Sequence, residues 1–152
     1  MARILANDGL AAAGIAVIEA AGHEVSTDNI AQDQLPEALK KFDGIIVRSA
    51  TTVRKELIDA CPNLKFIGRA GVGMDNIDVD YARSVGRQVS NTPAASSASV
   101  AELAIAHMFA LSRRLHQSNT DLPAQGKDGF KALKKSYSKG IELKGKTLGV
   151  IG

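Results

Sequence analysis

Apolar positions along the first ninety residues switch repeatedly between two periods. Residues 3–6 form a short apolar run that Asn7-Asp8-Gly9 interrupts. Leu10, Ala13, Val17, Ile18 and Ala21 then recur at helical spacing, with Asp8 placed to cap the helix and Gly22 to end it. A strand is predicted over 23–26 and a helix over 33–41, with Pro36 in its first turn. Gly44-Ile45-Ile46-Val47 is continuously apolar, the mark of a strand covered on both faces. Residues 53–60 read as a helix, 65–68 as a strand, 79–85 as a helix stopped by Gly86, and 87–90 as a fifth strand. Strands alternating with helices predict an α/β fold on a parallel sheet with right-handed crossovers.

The pattern then changes. Ser99-Val100-Ala101-Glu102 reads as a capping box opening a helix that runs to about His116. Val100, Leu103, Ile105, Ala106, Met108, Phe109 and Leu111 cover nearly its whole circumference, so this helix needs a partner surface between domains or subunits. Residues 117–146 are polar and punctuated by glycine, and predict a loop with one helical turn over 130–135. Residues 147–152 begin a new apolar strand, which reads as the start of a further, truncated domain.

Composition narrows the classes. With 45% hydrophobic residues in 152, the chain can bury one ordinary core; aromatics are only 4%, so that core is aliphatic. A single cysteine forbids an internal disulfide and fits a reducing cytoplasm; Cys61, beside Pro62, reads as a buried spectator. No apolar run approaches the ~20 residues that span a bilayer, so no membrane role is expected. The net charge of +3 is uneven: nine cations face three anions in residues 113–152, and ten face thirteen before them. A basic stretch with only Phe130 and Tyr137 as aromatics reads as a solvated connector, not a nucleic-acid surface.

Candidate chemistry lies where the strands end. Ligands on parallel sheets gather at the carboxyl ends of the strands. Asn7-Asp8, Arg48-Ser49, Gly71 to Asp75 and Asn91-Thr92-Pro93 all fall at that edge. Turn chemistry alone accounts for Asn7 and Asn91, but not for Arg48 or for two glycines around Val72. Gly71, Val72 and Gly73 leave little bulk between backbone and ligand, and their N–H groups are placed to receive an anion such as a carboxylate. Asp75 and Asn76 read as braces of that turn. No metal-binding cluster is expected.

RSATTVRKELIDACPNLKFIGRAGVGMDNIDVDYA, NTPAASSASVAELAIAHMFALSR and the terminal LKGKTLGVIG together resemble the D-isomer-specific 2-hydroxyacid dehydrogenases, most nearly the branch acting on 3-phosphoglycerate at the entry to serine biosynthesis. The resemblance implies a flavodoxin-like parallel sheet flanked by helices over residues 1–97, the substrate domain. A crossover helix at a dimer interface, a basic connector and the first strand of a truncated Rossmann domain would then fill 98–152. It implies an NAD-dependent oxidoreductase, with NADP left open, acting on a phosphorylated 2-hydroxy acid as a homodimer or higher homo-oligomer.

By the same resemblance, Arg48 and Ser49 bind substrate, with Arg48 at the phosphate, and Gly71, Val72 and Gly73 hold the substrate carboxylate. Asn91 and Thr92 border the nicotinamide, and Gly152 is the first glycine of a dinucleotide loop. Many relatives carry Asn where this chain has Ser96, which is shorter and reaches substrate only through water. The family's proton-accepting histidine, the carboxylate that orients it and its substrate arginine have no matching positions here, so the chain by itself is expected to be inactive. His23, His107 and His116 are not placed for that role, and His107 reads as packed and hydrogen-bonded. Glyoxylate or hydroxypyruvate reductases and D-lactate dehydrogenases share the same motifs and remain alternatives. A receiver-like binding module is a reading of a different class; Arg48 is the wrong charge for its Mg²⁺ pocket.

Overall fold

The computed structural model describes residues 1–151. Five strands, β1 (Arg3–Ala6), β2 (Glu24–Ser26), β3 (Gly44–Val47), β4 (Phe66–Arg69) and β5 (Gln88–Asn91), form one sheet in the order β2-β1-β3-β4-β5. Every neighbouring pair is parallel. Between them run helices α1 (Ala12–Ala20), α2 (Leu35–Ala38, continuing as a 3-10 turn over Leu39–Lys41), α3 (Lys55–Ala60) and α4 (Val79–Ser84). The chain steps from β1 outward to β2, then returns past β1 to β3. The strand order therefore reverses between β1 and β3, the place where such sheets open a crevice.

The core lies on one face of the sheet. Leu5, Ile45, Val47 and Ile67 are fully buried with Leu35, Leu39, Ile58 and Leu64, and Leu57 and Ala82 join them. Side chains alternate along a strand, so Ile46 points the other way and is only half-buried. Gly44, on the side of Ile46, is nevertheless buried, as are Ala6 and Gly68 beside Ile46 in register, so β3 is covered on both faces, less deeply on this one, where α1, which packs beside β2, buries none of its own side chains. Cys61 is buried against the Pro36 carbonyl at 3.7 Å, and burial pushes its thiol pKa up.

Two elements start later than predicted, for traceable reasons. Asp8 does not cap α1; Ala11 occupies that position with no side-chain bond, because the Asp8 carboxylate is engaged elsewhere. Val53 lies in an isolated parallel bridge to Ile77, not in α3. Its N–H donates to the Asn76 carbonyl at 2.9 Å, and its carbonyl accepts from Asp78 at 3.0 Å.

The chain divides into two compact units, Met1–Ser96 and the residues from Ser97 onward. The second holds α5 (Ser97–Ser112) and α6 (Leu115–Tyr137). Helix α5 begins two residues before the expected capping box, so Ser99 sits inside it. None of its side chains is buried: Val100, Leu103, Ile105 and Leu111 are all more than half exposed. His107, expected to be packed, is exposed as well, as are the apolar side chains around it on α5.

The predicted loop over 117–146 is instead mostly α6, a 23-residue helix. Lysine, glutamine, alanine and leucine favour helix enough to carry the glycines. Arg114, in the left-handed region at φ 53°, separates α5 from α6. Tyr137 Oη donates to Asp121, although a straight helix would hold them about 24 Å apart. Helix α6 is therefore strongly bent between them, where Pro123, Gly126 and Gly129 permit it. Ile141 N–H returns to the Ser112 carbonyl at 2.9 Å. The strand expected from residue 147 is not formed over 147–151. No described helix is long and apolar enough to cross a membrane.

Candidate functional site

Because all five strands point the same way, the loops after β1, β3, β4 and β5 meet at one edge. Over the strand-order reversal there is a cleft of about 590 Å³, lined by Asp8, Gly9, Leu10, Ala11, Arg48 and Ala70. Helix α1 starts at this cleft with no side-chain cap and no acidic residue in its first turn, so its free amides add a partial positive charge there.

The turn after β4 is tethered through its carbonyls. Ala70 N–H donates to Val47 O at 2.9 Å, and Gly71 N–H to Arg69 O at 2.9 Å. From the end of β5, Thr92 N–H reaches Gly71 O at 3.0 Å and Asn91 Nδ2 reaches Val72 O at 2.7 Å. The N–H groups of Val72 and Gly73 have no acceptor among the described residues, and both residues are exposed. A turn with its oxygens occupied and its N–H groups open is a site for an anion.

Arg69, which the sequence reading missed, lies against this turn. Its Nη1 donates to Ala70 O at 2.6 Å, while its buried Nε has no partner. A Cβ on Gly71 would stand 1.7 Å from that Nη1, so glycine at 71 makes room for the guanidinium. No carboxylate pairs with Arg69 among the described residues, and its charge therefore adds to the turn's attraction for anions. The available signal was an arginine closing an otherwise apolar strand.

Arg48, one residue past β3, is exposed, and its guanidinium has no ion-pair or hydrogen-bond partner among the described residues. Ser49 is exposed beside it. The backbone here is not free. Asp8 Oδ2 accepts from Arg48 N–H at 2.6 Å and from Thr51 N–H at 3.2 Å, and Asp8 Oδ1 accepts from the Thr51 hydroxyl. Partial burial pushes the Asp8 pKa up, but the Thr51 hydroxyl and the amides of Arg48, Thr51 and Ala50 outweigh it and hold the carboxyl below its ordinary value.

Asn76 braces this same loop, not its own turn as expected: its Nδ2 donates to Arg48 O at 2.8 Å and Thr51 O at 2.7 Å. Asp75 contributes only its carbonyl, which accepts from Arg54 Nη2 at 2.8 Å. Beneath them Asn7, almost fully buried, joins Thr51 to Ile30.

The edge thus brings together Arg48, Ser49, Gly71, Val72, Gly73, Asn91 and Thr92. His23 lies at the opposite end of the sheet, where its Nδ1 accepts from Ala2 N–H at 3.3 Å. Gly152 lies outside the described residues. Residues 1–151 contain no G-x-G-x-x-G motif. No cluster of three metal-ligating side chains occurs among the described residues.

Residues 4–140 match the family model for the D-isomer specific 2-hydroxyacid dehydrogenase catalytic domain. A hydroxypyruvate reductase from Thermotoga maritima is 46% identical over 129 residues, covering 85% of this chain and 40% of its own length. A D-3-phosphoglycerate dehydrogenase from Methanocaldococcus jannaschii is 43% identical over 152 residues, all of this chain and 28% of its own. The crystal structure of an NAD⁺-bound 3-phosphoglycerate dehydrogenase from Entamoeba histolytica superposes with a TM-score of 0.61 at 36% identity, covering 74% of this chain and 39% of that one. The chain spans less than half the length of these relatives.

Proposed function

The chain belongs to the D-isomer-specific 2-hydroxyacid dehydrogenase family, and from that premise we propose that it is the substrate-holding portion of an enzyme oxidising 3-phosphoglycerate. The observation carrying this reading is the pairing, on adjacent strand ends, of two open anion sites: the Val72–Gly73 amides and the Arg48 guanidinium. A 2-hydroxy acid phosphorylated at its far end presents two anions. Its carboxylate accepts from the Val72 and Gly73 N–H groups, with the Arg69 charge alongside. Its phosphate meets Arg48, whose planar fork suits phosphate oxygens, near the first amides of α1.

In this proposal Asn91 and Thr92 act on the carboxylate through the turn carbonyls they hold. Asn91 and Thr92 would also border a nicotinamide cofactor, NAD in this reading, which would supply hydride-accepting chemistry. This chain contributes binding and orientation of the acid. The exposed apolar surface of α5 is proposed to pack against a second copy in the whole protein.

Hydroxypyruvate reduction is the second reading, favoured by the 46% identity to the Thermotoga maritima protein. Substituting Arg48→Ala in the full-length enzyme separates the two. A charge-assisted bond contributes about 1.5–3 kcal/mol, so kcat/KM for 3-phosphoglycerate should fall roughly 10–150-fold while that for glyoxylate stays within about twofold. Equal losses for both substrates would remove the phosphate role of Arg48.

A further inference from the structure

We propose that Asp8 and Asn76 are positioning residues: together they close residues 48–51 into a fixed loop and thereby aim the Arg48 guanidinium across the cleft. The proposal rests on Arg48 being the phosphate ligand. Its basis is a two-sided clamp. Asp8, from the loop after β1, accepts the N–H groups of Arg48 and Thr51. Asn76, from the loop after β4, donates to the carbonyls of the same two residues. One acceptor and one donor thus bracket positions 48 and 51, and Ser49 and Ala50 are left exposed between them.

Strand β3 ends at Val47, so Arg48 has no ladder bonds of its own. The clamp stands in for them by holding the peptide groups on both sides of its Cα. Those two planes set the direction of the Cα–Cβ bond, and with it where a long side chain can reach.

The clamp has a second consequence. Asp8 and Arg48 line the same cleft, yet their side chains form no ion pair. The Asp8 oxygens are occupied by the amides of residues 48 and 51 and by the Thr51 hydroxyl, which Asn7 Nδ2 holds in turn at 2.9 Å. These three bonds fix the carboxylate in an orientation in which it makes no contact with the guanidinium. Loosening the clamp would free Asp8 to compete with an incoming phosphate for Arg48.

The test uses the ¹⁵N-labelled 152-residue chain with two NMR readouts: amide exchange at Arg48 and Thr51, and titration with 3-phosphoglycerate against D-glycerate. Asp8→Asn and Thr51→Val should speed exchange at Arg48 and lower the affinity ratio of phosphorylated to plain acid about tenfold, with Thr51→Ser restoring both. Unchanged strand amides in β4 and β5 show that a variant has folded. In an Arg48→Ala background, Asp8→Asn should have no further effect on the ratio.

The proposal is overturned if Arg48 exchanges rapidly in the wild-type chain. It is also overturned if the clamp variants leave the ratio unchanged while Arg48→Ala lowers it, or if Asp8→Asn lowers the ratio equally without Arg48. An Arg48→Ala variant with an unaltered ratio removes the phosphate reading instead, and wild-type exchange at Arg48 and Thr51 then decides the clamp.

Discussion

Replacing Asn7 by alanine tests whether the loops at the strand ends are held by buried polar bonds. Asn7 is 3% exposed. Its Nδ2 donates to Ile30 O at 3.0 Å and to Thr51 Oγ1 at 2.9 Å, and its Oδ1 accepts from Ile30 N–H at 2.8 Å. Each such bond contributes about 1 kcal/mol net, and truncation strands the Ile30 amide in partly buried surroundings, which costs about 1 kcal/mol more. The expected loss is about 3–4 kcal/mol, a large share of the ~5–15 kcal/mol typical of a folded domain. At a urea slope of roughly 1.5 kcal/mol per molar, the unfolding midpoint of the first unit should drop by about 2 M.

Hydrogen exchange of the β1 and β3 amides in increasing urea reports on that unit alone. Asn29→Ala is the control: it removes only the 2.9 Å bond from Asn29 Nδ2 to the Asn7 carbonyl, and should cost about 1 kcal/mol or less. An Asn7→Ala chain whose midpoint lies no further from the wild type than the Asn29→Ala chain would refute the reasoning.

Three further outcomes follow from the same geometry. Gly71→Ala places a Cβ where Arg69 Nη1 lies, so the guanidinium must swing off the turn; binding of glycerate and of 3-phosphoglycerate should weaken together by about tenfold in an NMR titration, and a selective loss of one would contradict the carboxylate assignment. Asp43 is held low first by the Arg3 amide, Asp59 first by the Lys55 ammonium and Asp78 first by the Lys55 amide, with Asp8 held low as described above. All four folded pKa values lie below the unfolded ones, so this stabilisation is complete above the ordinary carboxylate value of about 4 and is lost as pH falls below it; urea midpoints should decline from pH 5 to pH 3, and a rise would reverse the sign. The open apolar surface of α5 should make the 152-residue chain self-associate, so a clean monomer by light scattering at about 100 µM would count against its role as a contact surface.

The alternation of strands and helices was legible in residues 1–91 because each signal is local: apolar runs of four, helical spacing, and glycine or asparagine where the chain turns. The same locality exposed Arg48 and the Gly71–Gly73 turn as residues that ordinary turn chemistry does not require. Local signals also misled. Residues 117–146 read as a glycine-punctuated loop, but Gly126 and Gly129 sit in a bent helix that brings Asp121 and Tyr137 together. Asp8 read as a cap for the helix beside it, yet its oxygens go to residues forty positions away. Asn76 read as a brace for its own turn and instead holds the loop after β3.

Sequence alone therefore determined which segments become strands and helices and which loops carry charge. Only the tertiary structure decided which sheet face is the more deeply buried, that Arg69 lies against Gly71, and that Asp8 and Asn76 share one loop between them. The reason is physical. A parallel sheet collects the ends of strands that are distant in sequence along a single edge, and the hydrogen bonds made there depend on strand order and register, which no stretch of neighbouring residues encodes.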